Sequence, residues 1–295
     1  MGWADGFVAV DWGTTNRRAY LIGSDGRLVD EMEDDLGILS VEAGGFGAAV
    51  EQIRTRLGDR PLLMAGMIGS NRGWAEAPYV PCPATLADVA HALVWPEPGR
   101  VAIVPGLSFV GDGRADVMRG EETQFLGALA DGLVPADATL CHPGTHNKWT
   151  RLAGGAVAGF RTLMTGELFN LLREHSILAD LLAGPAEPGP AFESGVAHGL
   201  ARDDLQAELF QVRARVLLGQ AERADAAAYV SGLLIGGDLR IGLRDAPGRE
   251  IFVMGRPELT RLFAAALRVA GRDASEIDGE TAFLAGVRRI VELIA

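Results

Sequence analysis

Two short loops of related sequence contain the residues best suited to chemistry. The first loop (residues 11–17) reads DWGTTNR and the second loop (residues 142–148) reads HPGTHNK, so glycine, threonine, asparagine and a basic residue return in the same order. Glycine lets a backbone approach a phosphate closely, while threonine hydroxyls and backbone N–H groups donate hydrogen bonds to phosphate oxygens. The residues that we expect to bind a nucleotide are Gly13, Thr14, Thr15, Gly144 and Thr145.

The two loops differ at their first residue, which is Asp11 in one and His142 in the other. Mg²⁺ prefers oxygen ligands and often keeps part of its water shell. We therefore predict that Asp11 holds Mg²⁺ and that the two loops have different roles. Short Gly-rich motifs are common, so either loop alone would also fit an ordinary corner between two strands.

The composition excludes several classes of protein. The chain has 295 residues, enough for two domains, and 27 basic against 39 acidic residues give a net charge of −12, which argues against nucleic-acid and anionic-membrane partners. No apolar run reaches the roughly 20 residues of a membrane span, and the first residues lack the basic and apolar regions of a signal peptide. We expect a cytoplasmic protein, with Cys82 and Cys141 as reduced packing residues.

The predicted elements place each loop after a short apolar strand, at 7–10 and 139–141. We predict a mixed α/β first half, with further strands at 18–22, 61–66 and 101–104 and helices at 46–57, 86–93 and 121–129. After a boundary near 131–135 the chain is predicted to be largely helical, at 166–182, 192–200, 205–218, 224–235, 257–269 and 279–293, with a lone late strand at 250–254. This gives two domains, 1–134 and 135–295.

Longer motifs resemble a known family. The strings MAGMIGSNRGW at 64–74, RGEETQ at 119–124 and PGTHNKW at 143–149 resemble 2-dehydro-3-deoxygalactonokinases, and the likeness extends from about residue 8 to residue 291. More broadly, DWGTT at 11–15, PGT at 143–145 and VMGRP at 253–257 resemble the two phosphate loops and the adenosine loop of the sugar kinase, Hsp70 and actin superfamily.

The resemblance implies an α/β, two-lobed ribonuclease H-like fold with ATP in the interdomain cleft and adenosine near Gly255. It further implies Mg²⁺-dependent phosphorylation of 2-dehydro-3-deoxy-D-galactonate to its 6-phosphate, in galactonate or galactose breakdown. A kinase of the same fold for another sugar or sugar acid is one alternative. An ATP-dependent binding protein like Hsp70 or actin is another, and a homo-oligomer is also open.

The same resemblance suggests the catalytic residues. Related sugar kinases carry an Asp after a Gly at the start of the helix before the second phosphate loop, and Gly120 and Glu121 hold that place here. Glu121 is expected to orient the substrate hydroxyl as a general base, although Glu122 next to it leaves the choice open. Both acids could instead simply favour a helix N-terminus. Lys148 or Arg17 could stabilise the charge of the transferred phosphoryl group.

The turn after the strand at 61–66 is the expected sugar-acid site. Ser70 and Asn71 offer hydroxyl and amide groups to sugar hydroxyls, and Arg72 can bind a carboxylate through two parallel hydrogen bonds. Arg18 is a second candidate for the carboxylate. Trp74 could form a wall of the site or pack in the core.

Overall fold

The structure is a computed structural model that describes residues 2–246, 248 and 250–295. The chain forms two compact units. The first holds the described residues up to Ala136, together with Leu152–Gly159 and Glu280–Ala295, and the second holds Asp137–Arg151 and Phe160–Gly279. The predicted division at 134/135 assigned residues 280–295 to the C-terminal domain, whereas they group with the first unit here.

The first unit is built on a six-stranded mixed sheet. Its strands are β1 (Gly6–Trp12), β2 (Arg17–Gly23), β3 (Leu28–Asp34), β4 (Leu62–Gly66), β6 (Val94–Glu97) and β7 (Val101–Ile103), in the order β3-β2-β1-β4-β7-β6. A separate three-stranded sheet consists of β5 (Tyr79–Pro81), β8 (Gly106–Gly111) and β9 (Arg114–Met118), in the order β5-β8-β9.

The register of the large sheet brings two chain segments to one edge. β1 pairs in parallel with β4, and Trp12 lies opposite Gly66 at the ends of the two strands. Parallel strands end at the same edge of a sheet, so the first loop and the turn after β4 emerge side by side. Val8, Val10 and Trp12 are fully buried and anchor β1 in the core of this unit.

Four helices complete the first unit: α1 (Phe46–Leu57), α2 (Leu86–His91), α3 (Glu121–Ala130) and α9 (Gly279–Ile294). The prediction of α1 is confirmed, because Phe46, Val50, Ile53 and Leu57 form a buried stripe at helical spacing. The helix α9 packs directly on α3. A Cβ atom at Gly286 would lie 2.2 Å from the carbonyl oxygen of Thr123, which explains why the last helix joins the first unit.

The second unit is built on a five-stranded sheet whose order is β12-β11-β10-β13-β14. Its strands are β10 (Ala138–His142), β11 (Asn147–Ala153), β12 (Ala156–Leu163), β13 (Glu250–Gly255) and β14 (Asp273–Asp278), and its helices are α4 (Thr165–His175), α5 (Pro190–Ala201), α6 (Leu205–Leu217), α7 (Ala226–Gly242) and α8 (Pro257–Val269). Residues 152–159 of β11 and β12 group with the first unit.

The prediction of a lone late strand is wrong, because β14 pairs in parallel with β13 along its whole length. The sequence of β14, DASEID, is polar at most positions and lacks the apolar pattern of a buried strand. A strand at the edge of a sheet can carry such a sequence. β11 and β12 were also missed, so the second unit is less helical than expected.

Glycines bring α5 and α7 into backbone contact. A Cβ atom would lie 2.1 Å from the carbonyl oxygen of Phe192 if placed at Gly232, and 2.3 Å from that of Val196 if placed at Gly236. Helix packing therefore accounts for these two glycines. Among the described residues, no helix is both long enough and apolar enough to cross a membrane.

Candidate active site

The backbone carbonyl oxygens of the first loop are already hydrogen-bonded within the protein. The N–H of Gly13 donates to the carbonyl of Asn16 at 2.9 Å and closes the turn. Backbone N–H groups of residues 37–39 then donate to the carbonyl oxygens of Gly13 (3.0 Å), Thr14 (3.3 Å) and Thr15 (3.0 Å). Within the described part of the chain, the N–H groups of Thr14 and Thr15 donate to no protein acceptor. An exposed loop with satisfied carbonyls and available N–H groups suits an anion.

Two glycines bring the helix α3 to the end of β1. Gly66 has a φ of +92°, and a Cβ atom there would lie 2.8 Å from the Trp12 carbonyl and 3.4 Å from Oδ1 of Asp11. Gly120 has a φ of +109°, and its Cβ atom would lie 3.3 Å from Cα of Gly66. Only glycine accepts both the backbone conformation and this close approach. The start of α3 therefore lies beside the strand end that carries Asp11.

The two glutamates at the start of α3 have different surroundings. Glu122 is fully buried, and its carboxylate accepts the N–H of Gly120 at 2.7 Å. Burial, followed by the charge of Glu121, raises the pKa of Glu122 from 4.5 to about 8. Glu121 is half-exposed, and its carboxylate accepts the backbone N–H of Arg119 at 3.2 Å. Glu121 is thus the more accessible of the two acids.

A cavity of about 510 Å³ lies in the first unit. Its lining residues are Ile38, Leu39, Val41, Ala43, Gly44, Phe46, Asn71, Arg72, Gly73 and Trp74. Asn71 and Arg72 are exposed, so their polar groups are available to a ligand. The opposite wall includes Ile38 and Leu39, whose N–H groups bind the first loop. The predicted sugar-acid turn and the predicted phosphate loop are therefore connected through one short segment.

Ser70 and Trp74 lie at the base of this turn. Ser70 is 8% exposed, and its hydroxyl accepts the N–H of Arg72 at 3.3 Å. Trp74 lines the cavity and also packs against the core of the unit. Both alternatives for Trp74 therefore apply together.

Arg17 and Arg18 are both occupied by acidic partners. The Arg17 side chain is 1% exposed, donates to Asp34 at 2.7 Å and lies over the Trp12 ring. The prediction that Arg17 could stabilise the transferred phosphoryl group does not fit this burial. Arg18 lies opposite Asp11 in the sheet and donates to Glu33 at 2.9 Å. Burial alone would lower the pKa of Arg18, but the bond to Glu33 and nearby negative charges raise it overall.

The second loop is closed by a side chain. The N–H of Gly144 donates to Oδ1 of Asn147 at 2.7 Å, where the first loop uses a backbone carbonyl. The carbonyl of Thr145 accepts the N–H of Glu167 at 2.9 Å, and the N–H of Thr145 donates to no acceptor among the described residues. Lys148 is 4% exposed, and its Nζ donates to the carbonyl of His146 at 3.3 Å.

Asp238 on α7 supports this loop and was missed by the sequence analysis. Its carboxylate is almost fully buried and accepts hydrogen bonds from Nδ2 of Asn147 (2.8 Å), Nε1 of Trp149 and Oγ1 of Thr165. Burial raises the pKa of Asp238, and the three hydrogen bonds oppose that rise. Asp238 is 91 positions from Asn147 in the sequence, so no local pattern could reveal the pair.

Two further features border the second loop. Gly255 ends β13, and a Cβ atom there would lie 3.6 Å from the carbonyl oxygen of Pro143. The predicted adenosine loop is thus a direct neighbour of the predicted phosphate loop. A cavity of about 420 Å³ is lined by the end of β12, the segment 202–205 and one face of α7, including Thr165 and Asp238.

The described residues contain no group of three or more His, Cys, Asp or Glu side chains arranged to hold a metal ion. His146 contacts Glu167 through Nε2, as expected of a histidine that bonds locally. Cys82 and Cys141 are both free, and Cys141 is buried. A Mg²⁺ ion needs only one or two protein carboxylates when water and phosphate complete its shell, so this result is compatible with Asp11 as a single ligand.

Comparison with known proteins gives one consistent result. The model of the 2-keto-3-deoxy-galactonokinase family matches residues 11–290. The 2-dehydro-3-deoxygalactonokinase of Escherichia coli K12 is 36% identical over 293 residues, covering 98% of each chain. A crystal structure from Sinorhizobium meliloti, described as a candidate 2-dehydro-3-deoxygalactonokinase, gives a TM-score of 0.91 at 34% identity and covers 98% of this chain and 99% of that chain.

A more distant structure shares only the fold. Component A of the (R)-2-hydroxyglutaryl-CoA dehydratase of Acidaminococcus fermentans gives a TM-score of 0.54 at 10% identity, covering 98% of this chain and 99% of that chain. The predicted fold class is confirmed as the α/β, two-lobed fold of the sugar kinase, Hsp70 and actin superfamily. From its full-length similarity to these kinases, the chain belongs to the 2-keto-3-deoxy-galactonokinase family.

Proposed function

We propose that this chain phosphorylates 2-dehydro-3-deoxy-D-galactonate with ATP and forms the 6-phosphate, a step in galactonate breakdown. Family membership supports the substrate. The observation that carries the proposal is the cavity in the first unit. It contains a basic and an amide side chain suited to a sugar acid, and its wall is hydrogen-bonded to a loop suited to phosphate.

The reaction moves one phosphoryl group. The bond from the γ-phosphorus to the bridging oxygen of ATP breaks, and a bond forms from that phosphorus to the terminal hydroxyl oxygen of the sugar acid. The hydroxyl proton leaves to a carboxylate. Such a transfer requires mainly positioning and neutralisation of charge rather than covalent participation by the protein.

The two loops are assigned to the phosphates. In the first loop, Thr14 and Thr15 can donate their backbone N–H groups, because the carbonyls of this turn are already bonded to residues 37–39. Gly13, whose own N–H closes the turn on Asn16, lets the backbone approach the phosphate closely. In the second loop we assign the available N–H of Thr145 to the phosphates and Gly144 to close backbone approach, since the N–H of Gly144 is bonded to Asn147. The ammonium of Lys148 lies next to this loop, bonded to the carbonyl of His146. Gly255 next to Pro143 is the proposed adenosine contact.

Asp11 is the proposed Mg²⁺ ligand. Its carboxylate lies near the end of β1, at the first residue of the first loop, and close to Gly66. A hard cation with several waters would be held there by a single carboxylate and by phosphate oxygens. The ion, when bound, would neutralise charge on the phosphates.

Glu121 is the proposed general base, and Glu122 is proposed to shape the turn before it. Glu121 is half-exposed at the start of α3, whereas Glu122 is fully buried and bound to the N–H of Gly120. A base must come within hydrogen-bond reach of the proton that it removes. Only the half-exposed residue meets that requirement without unfolding the helix start.

The sugar-acid contacts are assigned to the turn after β4. Arg72 is proposed to bind the carboxylate through two hydrogen bonds, and Asn71 and Ser70 to bind hydroxyl groups. The exposure of Arg72 and its position in the cavity favour it over Arg18, whose guanidinium is bound to Glu33. Arg18, which lies opposite Asp11 in the sheet, is proposed as a second contact for the substrate carboxylate.

The proposal is tested by coupled measurement of ADP release with Mg-ATP. The panel is 2-dehydro-3-deoxy-D-galactonate, its gluconate epimer, galactonate, galactose and glycerol. We expect selective turnover of the first compound. Turnover of another member would keep the kinase and discard the substrate. ADP release that no sugar stimulates would instead support an ATP-dependent binding protein.

Paired variants test the assigned base. Glu121→Gln should abolish most of kcat with little change in KM, because the amide cannot accept the proton. Glu122→Gln is the matched control and should retain most of kcat. Loss of turnover in Glu122→Gln together with near-normal turnover in Glu121→Gln would transfer the role to Glu122.

A further inference from the structure

Arg119 contacts both parts of the proposed sugar-acid site. Its backbone N–H donates to the carboxylate of Glu121 at 3.2 Å. Its guanidinium Nη2 donates to the carbonyl oxygen of Ala77 at 2.8 Å. The backbone N–H of Ala77 donates to the carbonyl oxygen of Gly69 at 2.9 Å. The segment between Gly69 and Ala77 contains Ser70, Asn71 and Arg72. One residue therefore connects the proposed base to the turn that carries the proposed substrate contacts.

The guanidinium lies close to both an aromatic ring and a glycine. Its carbon lies 4.4 Å from the centroid of the Tyr79 ring, a cation–π distance. A Cβ atom at Gly69 would lie 2.9 Å from Nη1 of Arg119. The turn can reach the guanidinium this closely because position 69 has no side chain. Arg119 thus fixes both ends of the segment 69–77.

The guanidinium of Arg119 is only partly hydrogen-bonded. Its Nε and Nη1 atoms are buried and have no hydrogen-bond partner in the described residues. Buried polar groups are almost always bonded, and leaving a charged group unbonded costs stability. Arg17 in the same unit, by contrast, is fully neutralised by Asp34. The incomplete bonding of Arg119 suggests that its position serves the site rather than the core.

We propose that Arg119 is a positioning residue that holds the segment 69–77, and with it the sugar-acid contacts, in register with Glu121. This inference rests on the proposed function for the identity of the substrate. It does not require Arg119 to touch the sugar acid, because the guanidinium atoms nearest the turn are buried. Loss of the guanidinium would loosen the turn and displace Arg72 relative to the base.

The test uses four variants of the full chain. Arg119→Met removes the guanidinium and keeps an apolar stem. Arg119→Lys keeps the charge but loses the planar group that stacks on Tyr79. Arg114→Met is the matched control, since Arg114 on β9 also lies over an aromatic ring, Phe109, at 5.5 Å. Tyr79→Leu provides an independent change if Arg119→Met does not fold.

Two readouts separate positioning from general stability. We expect hydrogen exchange of the amides in 69–77 to become at least about tenfold faster in Arg119→Met and to stay unchanged in Arg114→Met. We expect KM for the sugar acid to rise about tenfold or more and kcat to fall, with KM for ATP within about twofold of wild type. Arg119→Lys should restore the activity only in part, and Tyr79→Leu should give a smaller loss of the same kind.

Several outcomes would overturn the inference. A folded Arg119→Met protein with unchanged exchange in 69–77, or an equal rise in KM for ATP and sugar acid, would contradict it. Full activity in Arg119→Lys would also contradict it, because a positive charge without the planar guanidinium would then be enough to hold the turn. If wild-type protein does not turn over the sugar acid while the exchange response of Arg119→Met persists, the positioning role is supported and the substrate assignment fails.

Discussion

The two loops carry similar residues but are held in place by different means. The first loop is closed by the backbone carbonyl of Asn16, and its other carbonyls are bonded to residues 37–39. The second is closed by the side chain of Asn147, which is fixed by the buried carboxylate of Asp238. Backbone bonds shape one loop, whereas a buried side-chain network shapes the other.

The basic residues at the ends of the two loops show the same contrast. Arg17 is buried against Asp34 and forms part of the core of its unit. Lys148 is equally buried, yet its ammonium donates to the carbonyl of His146 within the loop itself. Equivalent positions in a repeated motif therefore need not have equivalent roles.

The largest effect is expected at the first residue of each loop. Asp11→Asn should lower kcat by about a thousandfold, because a neutral amide is a poor Mg²⁺ ligand and charge stabilisation in the transition state is lost. The Mg²⁺ concentration for half-maximal activity should also rise. Steady-state ADP release with a Mg²⁺ titration measures both. His142→Asn is the matched control, and an equal loss there would contradict the division of labour between the loops.

The next effect separates the two basic residues. Arg17→Met should destabilise the protein by about 3 kcal/mol, because it leaves Asp34 without its buried partner, while the folded enzyme remains active. Lys148→Met should lower kcat by about a hundredfold with a much smaller loss of stability. Urea unfolding and ADP release on both variants provide the comparison. The reverse pattern would return Arg17 to the site and make Lys148 structural.

The two buried carboxyl groups should respond differently to pH. Glu122 has a folded pKa of about 8, above its ordinary value of 4.5, so the folded state retains a proton that the unfolded state has lost. The resulting stability is present below about pH 4.5 and is lost as the pH rises toward 8. Glu122→Gln removes this titration, so the free energy of unfolding of the variant relative to wild type should rise by about 3 kcal/mol between pH 5 and pH 8.

Asp238→Asn is the matched variant in the second unit. Its amide nitrogen cannot accept the hydrogen bonds that Asn147 and Thr165 donate, so it should be destabilised at both pH values. Urea midpoints at pH 5 and pH 8 for both variants decide the comparison. If the difference in stability between Glu122→Gln and wild type were the same at pH 5 and pH 8, the Glu122 carboxyl would be ionised in the folded protein over that whole pH range.

The smallest effect concerns the asparagine of each loop. Asn147→Ala should raise KM for ATP about tenfold, because the N–H of Gly144 loses its acceptor and the loop opens. Asn16→Ala should leave KM for ATP within about twofold, since the first loop is closed by a backbone carbonyl that alanine also supplies. Initial-rate kinetics with varied ATP measure both, and similar values would remove the distinction between the loops.

Much of the fold follows from local patterns. The bounds predicted for α1 and α8 match the structure residue for residue, because an apolar stripe at helical spacing and a proline at the first helical position are local signals. The strand β14 was missed because its polar sequence owes its conformation to pairing with β13. Strand pairing of this kind is a property of the neighbour as much as of the segment.

The site was predictable where it depends on short motifs. The loops, the turn containing Asn71 and Arg72, and the helix start at Glu121 were all located from the sequence as candidates. Asp238 and Arg119 were missed for a different reason. Their partners, such as Asn147 for the one and Ala77 for the other, are 91 and 42 positions away. A buried hydrogen bond at that separation leaves no trace in local composition or spacing.

The attachment of residues 37–39 to the first loop has a consequence for how substrate preference can change. The bonds between these segments use backbone N–H and carbonyl groups only, while Ile38 and Leu39 both line the cavity. Ile38 is buried in the core of the unit, whereas Leu39 is 60% exposed, so substitutions at Leu39 can alter the shape and polarity of the cavity while the phosphate-facing backbone stays in place. New substrates could be acquired here by stepwise mutation without first losing catalysis, which makes this wall the natural starting point for engineering related kinases.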